Sequence, residues 1–387
     1  MTFSCQIESD RAVLRQNGHA EAEIYFFGAL LNRYAVFGGG EWLNCIAAYR
    51  GTDDARQHIT DGFRSAKLSP FPCRLNRGGY RFDGRKYQTG RHVLNGHAIH
   101  GLFYDAPFAS AGHGSGEDAA WVELAYAYPA DQNGFPFPYR LTVRYTLSSD
   151  GLTVSTTAEN TGTAPMPLAD GWHPYFTLGG TADDWTLQIN GGTQLEFDAG
   201  LLPTGARLAD NRFAEASSLR GIGLDNSFEL NGNGGTRPAC ALRHGARRLD
   251  IFAEENYPLL QIYIPPERTS IALENLSGAP DCFNNGIGLT IPPPGDPLIE
   301  ARCRRIEAAG GSAFAAISLP EAAVALKQGA GRLIRCETDT GALAICDTRL
   351  ISMGYGKRLL AALPPMRRLA DEAQLMQALD VLAVSEA

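Results

Sequence analysis

The 387-residue sequence lacks three features that would restrict its function class. It has no uninterrupted apolar run near the roughly 18 residues that a membrane-spanning helix needs. It has no excess of positive charge, since 34 Lys and Arg are outnumbered by 42 Asp and Glu, giving a net charge of −8. Affinity for nucleic acid generally requires a basic face. We therefore expect a soluble protein with neither a membrane nor nucleic acid as a partner.

Cysteine motifs are also missing. The eight cysteines are widely scattered and form neither a C-x-x-C pair nor a Cys/His knuckle, so buried free thiols are expected and a metal site is not. They are Cys5, Cys45, Cys73, Cys240, Cys282, Cys303, Cys336 and Cys346. The first 18 residues carry acidic side chains and no apolar core of the secretory kind, so we expect a cytoplasmic location. The sequence gives no indication of oligomeric state.

Residues 1–305 have the pattern of an antiparallel β protein rich in turns. Apolar and polar residues alternate over 122–128, 139–148 and 152–160, and a Ser-Asp-Gly turn between the last two predicts a hairpin. Shorter strands are predicted over 184–190, 248–255, 259–265 and 270–276. Many strands without helices between them favour a large antiparallel sandwich over a βαβ fold.

The pattern changes near residue 310. The small, Gly-rich segment 306–318 is predicted to be a linker, and residues 319–387 are predicted to form a small α/β appendage. Within it, a helix is expected from near Glu321, a short buried strand over 341–347 and an amphipathic helix over 367–384.

Five residues of the β region are candidates for acid–base or binding chemistry. His97 and His100 lie in a Gly-flanked aromatic stretch, and His173 is surrounded by aromatic residues. Imidazole suits proton transfer near neutral pH, although each histidine could equally be structural. Glu274 lies at the centre of an apolar strand, where it is either a buried carboxylate with a raised pKa or an outward-facing edge residue. Asp225 either binds a ligand or forms an Asx-turn.

The order of motifs over about residues 20–305 resembles the aldose 1-epimerase (mutarotase) family. The motifs are Asn76-Arg77, IHG at 99–101, HPYF at 173–176, LDNSF at 224–228 and LENLSGAPDCFNNG at 273–286. The resemblance implies a galactose mutarotase-like β-supersandwich, which agrees with the strand pattern. It also implies an isomerase that interconverts the anomers of a free hexose or related aldose, with neither a metal nor another cofactor.

Matched residue by residue, the resemblance implies that Glu274 is the general base at the C1 hydroxyl and His173 the acid at the ring oxygen. His100 matches the family's second histidine. Residues Asn76, Arg77 and Asp225 match the sugar-binding positions. His97 has no clear counterpart, and its assignment to substrate binding stays open.

Departures from the family pattern concern the substrate. Ile99 precedes His100, Thr177 follows the HPYF motif and Asn275 follows Glu274, where better-known members have other residues. Galactose specificity is therefore not implied. A carbohydrate-binding module without turnover is an alternative, but retention of Glu274 and both family histidines argues against it.

The C-terminal tail resembles a different family. Residues 326–364 are similar to the end of DinG-type, XPD-like superfamily 2 DNA helicases, in which Gln328, Arg332 and Arg335 match residues that reach the ATP γ-phosphate. The sequence contains no G-x-x-x-x-G-K-[ST] phosphate loop. We therefore interpret the tail as a nonfunctional helicase fragment. An ATP-dependent role in nucleic-acid processing is the alternative.

Overall fold

The chain divides into two compact units, Met1–Leu298 and Ile299–Ala387, and antiparallel strands are the main regular structure of the first. In this computed structural model the described residues are 2–130, 134–232, 237–294 and 356–363, together with 374, 376 and 377. None of the helices among them is long and apolar enough to cross a membrane.

Strands are numbered in chain order. The first thirteen are β1 Phe3–Ile7, β2 Arg11–Gln16, β3 Ala20–Tyr25, β4 Leu30–Gly38, β5 Glu41–Asn44, β6 Ala66–Leu68, β7 Arg74–Leu75, β8 Gly79–Phe82, β9 Arg85–Gln88, β10 Val93–Leu94, β11 His97–Ile99, β12 Ala109–Ser115 and β13 Ala119–Tyr128. The others are β14 Tyr139–Ser148, β15 Gly151–Asn160, β16 Gly171–His173, β17 Tyr175–Phe176, β18 Thr186–Ile189, β19 Gly191–Phe197, β20 Pro203–Ala209, β21 Ser217–Ser218, β22 Asp225–Leu230, β23 Cys240–His244, β24 Arg247–Ile251, β25 Leu259–Tyr263 and β26 Ile271–Leu276. The helices are α1 Thr52–His58, α2 Cys282–Asn285 and α3 Gly356–Ala362, with 3₁₀ turns at Asn76–Gly78 and Ala182–Asp184.

The strands of the described residues form several antiparallel sheets, which together make the sandwich. One meander runs β1-β2-β3-β4-β5 and another runs β12-β13-β14-β15. The largest sheet has the order β20-β19-β22-β25-β26-β16-β6, and β17 also pairs with β26. Smaller sheets are β21-β18-β23-β24, β10-β11-β7 and β8-β9. The predicted β-supersandwich is therefore confirmed.

Strand β14 illustrates why these sequences form sheets. Its buried residues alternate strictly with half-buried or exposed ones, and Tyr139, Val143 and Leu147 are fully buried in the main core. Burial of each large apolar side chain stabilises the fold by about 1.5–3 kcal/mol. Strands β14 and β15 pair along their full length through the predicted hairpin turn, in which Gly151 has a positive φ.

Most strand predictions for the β unit are confirmed, and the differences lie at strand ends. The strand predicted over 184–190 begins only at Thr186, because a 3₁₀ turn capped by Thr181 precedes it. The strand predicted over 248–255 ends at Ile251. Of the cysteines, Cys45, Cys73, Cys240 and Cys282 are buried free thiols and Cys5 is half-buried.

Predictions for the tail fall mainly outside the described residues. These include the linker over 306–318, the helix from Glu321, the strand over 341–347, the helicase-type residues Gln328, Arg332 and Arg335, and the last three cysteines. Residues 374, 376 and 377 are helical, within the helix predicted over 367–384. Helix α3 was not predicted.

Candidate active site

The two strands β16 and β26 place His173 and Glu274 side by side on one face of the largest sheet. Gly171 of β16 is the partner of Leu276 of β26 in an antiparallel register. In the same register, His173 lies opposite Glu274. Side chains of directly opposite residues point to the same face of a sheet, so these two side chains share one face. Glu274 is 2% exposed and His173 5% exposed. The outward-facing alternative for Glu274 is therefore excluded.

The two side chains are close enough to act on one ligand group. The distance between His173 Nε2 and Glu274 Oε1 is 3.3 Å. His100 also contacts His173, with its ring edge-on to that of His173 and the two centroids 4.9 Å apart. Tyr175 stacks on His173, and Phe63 packs against His100 at 4.6 Å between centroids. The polar groups are therefore enclosed by aromatic rings.

Local backbone geometry explains the IHG sequence at His100. This residue has a φ of 61°, and its backbone N–H donates to the Cys73 carbonyl oxygen at 2.9 Å. Gly101 follows with a φ of 71°, and a Cβ there would lie 2.2 Å from the Ser69 carbonyl oxygen. Only glycine fits at this close approach. The turn brings the His100 ring against that of His173.

Asp225 is held beside this group by a hydrogen bond from Gln261. Ser227, Gln261 and Glu274 are register partners in the adjacent strands β22, β25 and β26. Gln261 Nε2 donates to Asp225 Oδ1 at 2.7 Å, and Gln261 Oε1 accepts from the Ser227 hydroxyl. Asp225 begins strand β22 rather than forming a separate Asx-turn. Sequence analysis missed Gln261, although a polar residue inside the apolar strand LLQIY is a detectable signal.

Burial controls the protonation of the pair. Desolvation raises the pKa of Glu274 well above its usual value, the charge of Asp225 raises it further, and the charge of Arg74 lowers it. Desolvation lowers the pKa of His173 to about 3. It also lowers the pKa of His100 well below its usual value, with a further contribution from the charge of His173. Between the lowered pKa of His173 and the raised pKa of Glu274, the pair therefore carries one proton and no net charge.

Several polar atoms of this site have no hydrogen-bond partner within the described protein. They are His100 Nδ1, His173 Nδ1, Glu274 Oε2 and Arg74 Nε, and each is buried. Buried polar groups without partners are costly and uncommon in native proteins. Their convergence suits a ligand that brings several hydroxyl groups.

Arg74 is the second residue that sequence analysis missed. Its charge acts on Glu274, Asp225 and His100, and its backbone pairs with Ile99, directly before His100. A charged residue inside the apolar stretch PFPCRL is the signal that could have identified it.

The structure groups the other predicted residues around the 3₁₀ turn Asn76–Gly78. The Arg77 backbone N–H donates to His97 Nδ1 at 3.2 Å, and the Asn76 N–H donates to Asp281 Oδ1 at 2.9 Å. Arg77 and Asn76 are exposed, and His97 is half-buried. Their assignment to sugar binding stays a prediction. Within the described ranges, no group of three or more His, Cys, Asp or Glu is arranged to hold a metal ion.

Comparison with known proteins decides the family. Residues 10–297 match the family model described as aldose 1-epimerase. The chain belongs to the aldose 1-epimerase family. Its solved structural neighbours include a galactose mutarotase-like protein from Clostridium acetobutylicum, with a TM-score of 0.67 and 18% identity over 76% of this chain and 95% of that one. Galactose 1-epimerase from Lactobacillus acidophilus has a TM-score of 0.63 and 20% identity, with the same coverage. At these identities the likeness shows the fold alone.

A curated relative of this epimerase-family region is the uncharacterized protein YihR of Escherichia coli. It is 27% identical over 241 residues, which cover 59% of this chain and 75% of YihR.

The C-terminal part of the chain matches a second family model, described as helicase C-terminal domain, over residues 286–366. The ATP-dependent DNA helicase YoaA of Escherichia coli is 46% identical over 88 residues, covering 23% of this chain and 14% of YoaA. The ATP-dependent helicase DinG of Mycobacterium tuberculosis is 40% identical over 99 residues, covering 26% and 15%. The chain thus spans only about one seventh of these helicases.

Proposed function

We propose that the β unit is an isomerase that interconverts the α and β anomers of a free aldose, with a hexose as the expected substrate. The observation that carries the proposal is the buried pair of His173 and Glu274, with 3.3 Å between Nε2 and Oε1, surrounded by polar atoms that lack partners. Membership of the aldose 1-epimerase family supports the assignment.

In the proposed mechanism the pair moves protons without a net change in its own charge. The Glu274 carboxylate removes the proton from the C1 hydroxyl while the His173 imidazolium donates a proton to the ring oxygen. The C1–O5 bond breaks and the aldehyde forms. After rotation about C1–C2, the ring closes on the other face with the two roles reversed. Neither step needs a metal or a redox cofactor.

The number of protons bound by the resting pair of Glu274 and His173 fits this mechanism. The resting pair holds one proton on Glu274, and the working form holds the same proton on His173. The two forms therefore differ by transfer of one proton across 3.3 Å. The positive charge of Arg74 favours the carboxylate form. Each proton transfer by a positioned acid or base is worth about 10²–10⁴ in rate.

Sugar orientation is assigned to the neighbouring polar groups. His100 hydrogen-bonds the region of C1 and the ring oxygen, and Asp225 and Arg74 bind hydroxyl groups, since charge-assisted hydrogen bonds fix orientation. Asn76, Arg77 and His97 remain proposed contacts at the edge of the site. A cytoplasmic location is part of the same proposal.

The test is the rate of anomer interconversion, measured by NMR or polarimetry over a panel of free aldoses. We expect the wild type to accelerate at least one aldose and Glu274→Gln to lower kcat at least a hundredfold. Glu229→Gln is the matched control, because Glu229 lies on β22 of the same sheet and pairs with Arg207 at the surface. A folded wild type that accelerates none of the aldoses would refute the proposal.

The same protein preparation tests two alternative functions. A carbohydrate-binding module would give saturable sugar binding with no change in the anomerisation rate. The helicase match of residues 286–366 favours a test for ATP hydrolysis with single-stranded DNA. Hydrolysis above background would give the tail an activity of its own, without affecting the assignment of the β unit.

A further inference from the structure

A lysine and an aspartate are buried together behind the catalytic pair. Lys67 of β6 is 1% exposed and Asp170, directly before β16, is 5% exposed. The distance between Lys67 Nζ and Asp170 Oδ2 is 2.8 Å. Lys67 is the register partner of Trp172, the residue before His173. Because successive side chains of a strand point to opposite faces, Lys67 and Trp172 point away from the catalytic face. The proposed proton transfers do not involve this ion pair.

Asp170 connects the two strands that carry the catalytic residues. Its backbone N–H donates to Ser277 Oγ at 2.7 Å, and the Ser277 N–H donates to the Asp170 carbonyl oxygen at 2.8 Å. Ser277 directly follows β26, the strand of Glu274, and Asp170 directly precedes β16, the strand of His173. The beginning of β16 is therefore attached to the end of β26 through Asp170.

The side chain of Asp170 is held by further parts of the β unit. Asp170 Oδ2 accepts from Lys67 Nζ at 2.8 Å and from the Tyr257 hydroxyl at 2.7 Å. Lys67 Nζ also donates to Thr156 Oγ1 of β15 at 2.9 Å. Hydrogen bonds that involve a charged group are shorter and stronger than neutral ones. This network therefore fixes Asp170 relative to β6 and β15.

The backbone ladder of β26 is incomplete at the catalytic pair. The nearest paired residues are Gly171 with Leu276 on one side, and those of β17 with β26 on the other. Between them lies Pro174, which has no N–H to donate to β26. The distance between His173 and Glu274 therefore depends on the attachments at the two ends of this stretch, and Asp170 provides one of them.

Stability alone does not explain a buried ion pair at this position. Taking two charges out of water has a large desolvation cost, and replacement of such a pair by uncharged residues of similar volume is often neutral or stabilising. In some proteins a buried polar group instead specifies one arrangement of packed elements. Here the arrangement that the pair would specify is the alignment of β16 with β26.

We propose that Lys67 and Asp170 are positioning residues, which hold the beginning of β16 against the end of β26 and so set the distance between His173 and Glu274. The inference rests on the proposed isomerase function. Its consequence for the rate is large, because a displacement of about 1 Å at a catalytic group can lower a rate about 10²-fold.

The test compares Lys67→Met, Asp170→Asn and the double variant, in which each new side chain has nearly the shape of the one it replaces. Each single variant leaves one buried charge without its partner, so it should unfold at a lower urea concentration than wild type. The double variant removes both charges and should regain the urea midpoint of wild type. Its kcat for anomerisation should nevertheless stay about 10- to 100-fold lower, with KM within about twofold of wild type.

Variants of the neighbouring hydrogen bonds separate positioning from folding. Ser277→Ala removes the acceptor of the Asp170 N–H and should lower kcat about two- to tenfold, whereas Ser277→Thr keeps the hydroxyl and should restore kcat. Tyr128→Phe is the matched control, because it removes a buried hydrogen bond from the Tyr128 hydroxyl to the Phe135 carbonyl oxygen, outside the strands of the catalytic pair. It should lower the urea midpoint and leave kcat unchanged.

NMR of the imidazole nitrogens in isotope-labelled protein gives a readout that needs no substrate. The Nε2 resonance of His173 is identified by its loss in His173→Asn, and it depends on the Glu274 carboxyl group, 3.3 Å away. This resonance should move in the double variant and stay in place in Tyr128→Phe.

Three results would overturn the proposal. They are a kcat of the double variant within about twofold of wild type, an unmoved His173 resonance in that variant, and a double variant as unstable as the two single variants, which would assign the pair to folding. A folded wild type that accelerates no aldose would refute the isomerase function instead. The His173 resonance would then decide by itself whether the ion pair positions this histidine.

Discussion

Substitution of His173 by asparagine should make the stability of the β unit less sensitive to acid. Burial lowers the pKa of His173 to about 3 in the folded protein, against about 6.5 in an unfolded chain. Between these values the His173 position binds a proton in the unfolded chain but not in the folded protein, so its contribution to the free energy of unfolding falls as pH falls below about 6.5. One pKa unit corresponds to about 1.36 kcal/mol, so the loss from pH 6.5 to 5.0 is about 2 kcal/mol, and about 5 kcal/mol down to pH 3.

Urea unfolding at pH 7.5 and 5.0, followed by tryptophan fluorescence, measures this effect. The four tryptophans, Trp42, Trp121, Trp172 and Trp185, all lie in the β unit, so the signal reports on that unit. Wild type should lose about 2 kcal/mol more than His173→Asn between the two pH values. His113→Asn, at an exposed histidine, should lose as much as wild type. Equal losses in wild type and His173→Asn would refute the burial argument.

The long strands could be predicted because apolar and polar residues alternate clearly where only one face of a sheet is buried. Strands β14 and β15 are the clearest example, and their hairpin turn confirms the register. The order of strands in the largest sheet could not be predicted from local pattern. It depends on pairings such as Gly171 with Leu276, about a hundred residues apart, which side-chain periodicity does not encode.

Hydrophobic periodicity could not predict the direction of the Glu274 side chain. Strand β26 is buried on both faces, since all of its residues except Asn275 are buried. Alternation therefore gives no signal for the direction of the Glu274 side chain. The family motif around it was the more informative signal, and the register of β16 and β26 then explains how His173 comes to lie beside it.

The two arginines Arg74 and Arg77 show a second limit. They lie three residues apart, and the sequence offered no way to decide between them except the motif match to Asn76-Arg77. In the structure Arg77 has a φ of 51° inside a 3₁₀ turn, so the chain leaves the strand after Leu75 and the side chain becomes exposed. Arg74 remains within strand β7, where its charge acts on the carboxyl groups of Asp225 and Glu274.

Two further outcomes depend on the same electrostatics. The pair of Glu274 and His173 carries one proton between the lowered pKa of His173, about 3, and the raised pKa of Glu274, so the anomerisation rate should be constant between these two values and fall only above the raised pKa of Glu274. A fall centred near the ordinary glutamate pKa of about 4.3 in a pH–rate profile would contradict this. Arg74→Gln should lower kcat/KM about 10- to 150-fold, because hydrogen bonds to charged groups contribute about 1.5–3 kcal/mol. Arg77→Gln is its matched control and should stay within about twofold of wild type, since its side chain is exposed and its charge does not act on Glu274. A larger loss of kcat/KM in Arg77→Gln than in Arg74→Gln would assign sugar binding to Arg77. It would also show that Arg74 acts on the resting carboxyl groups through its charge, without contacting the sugar.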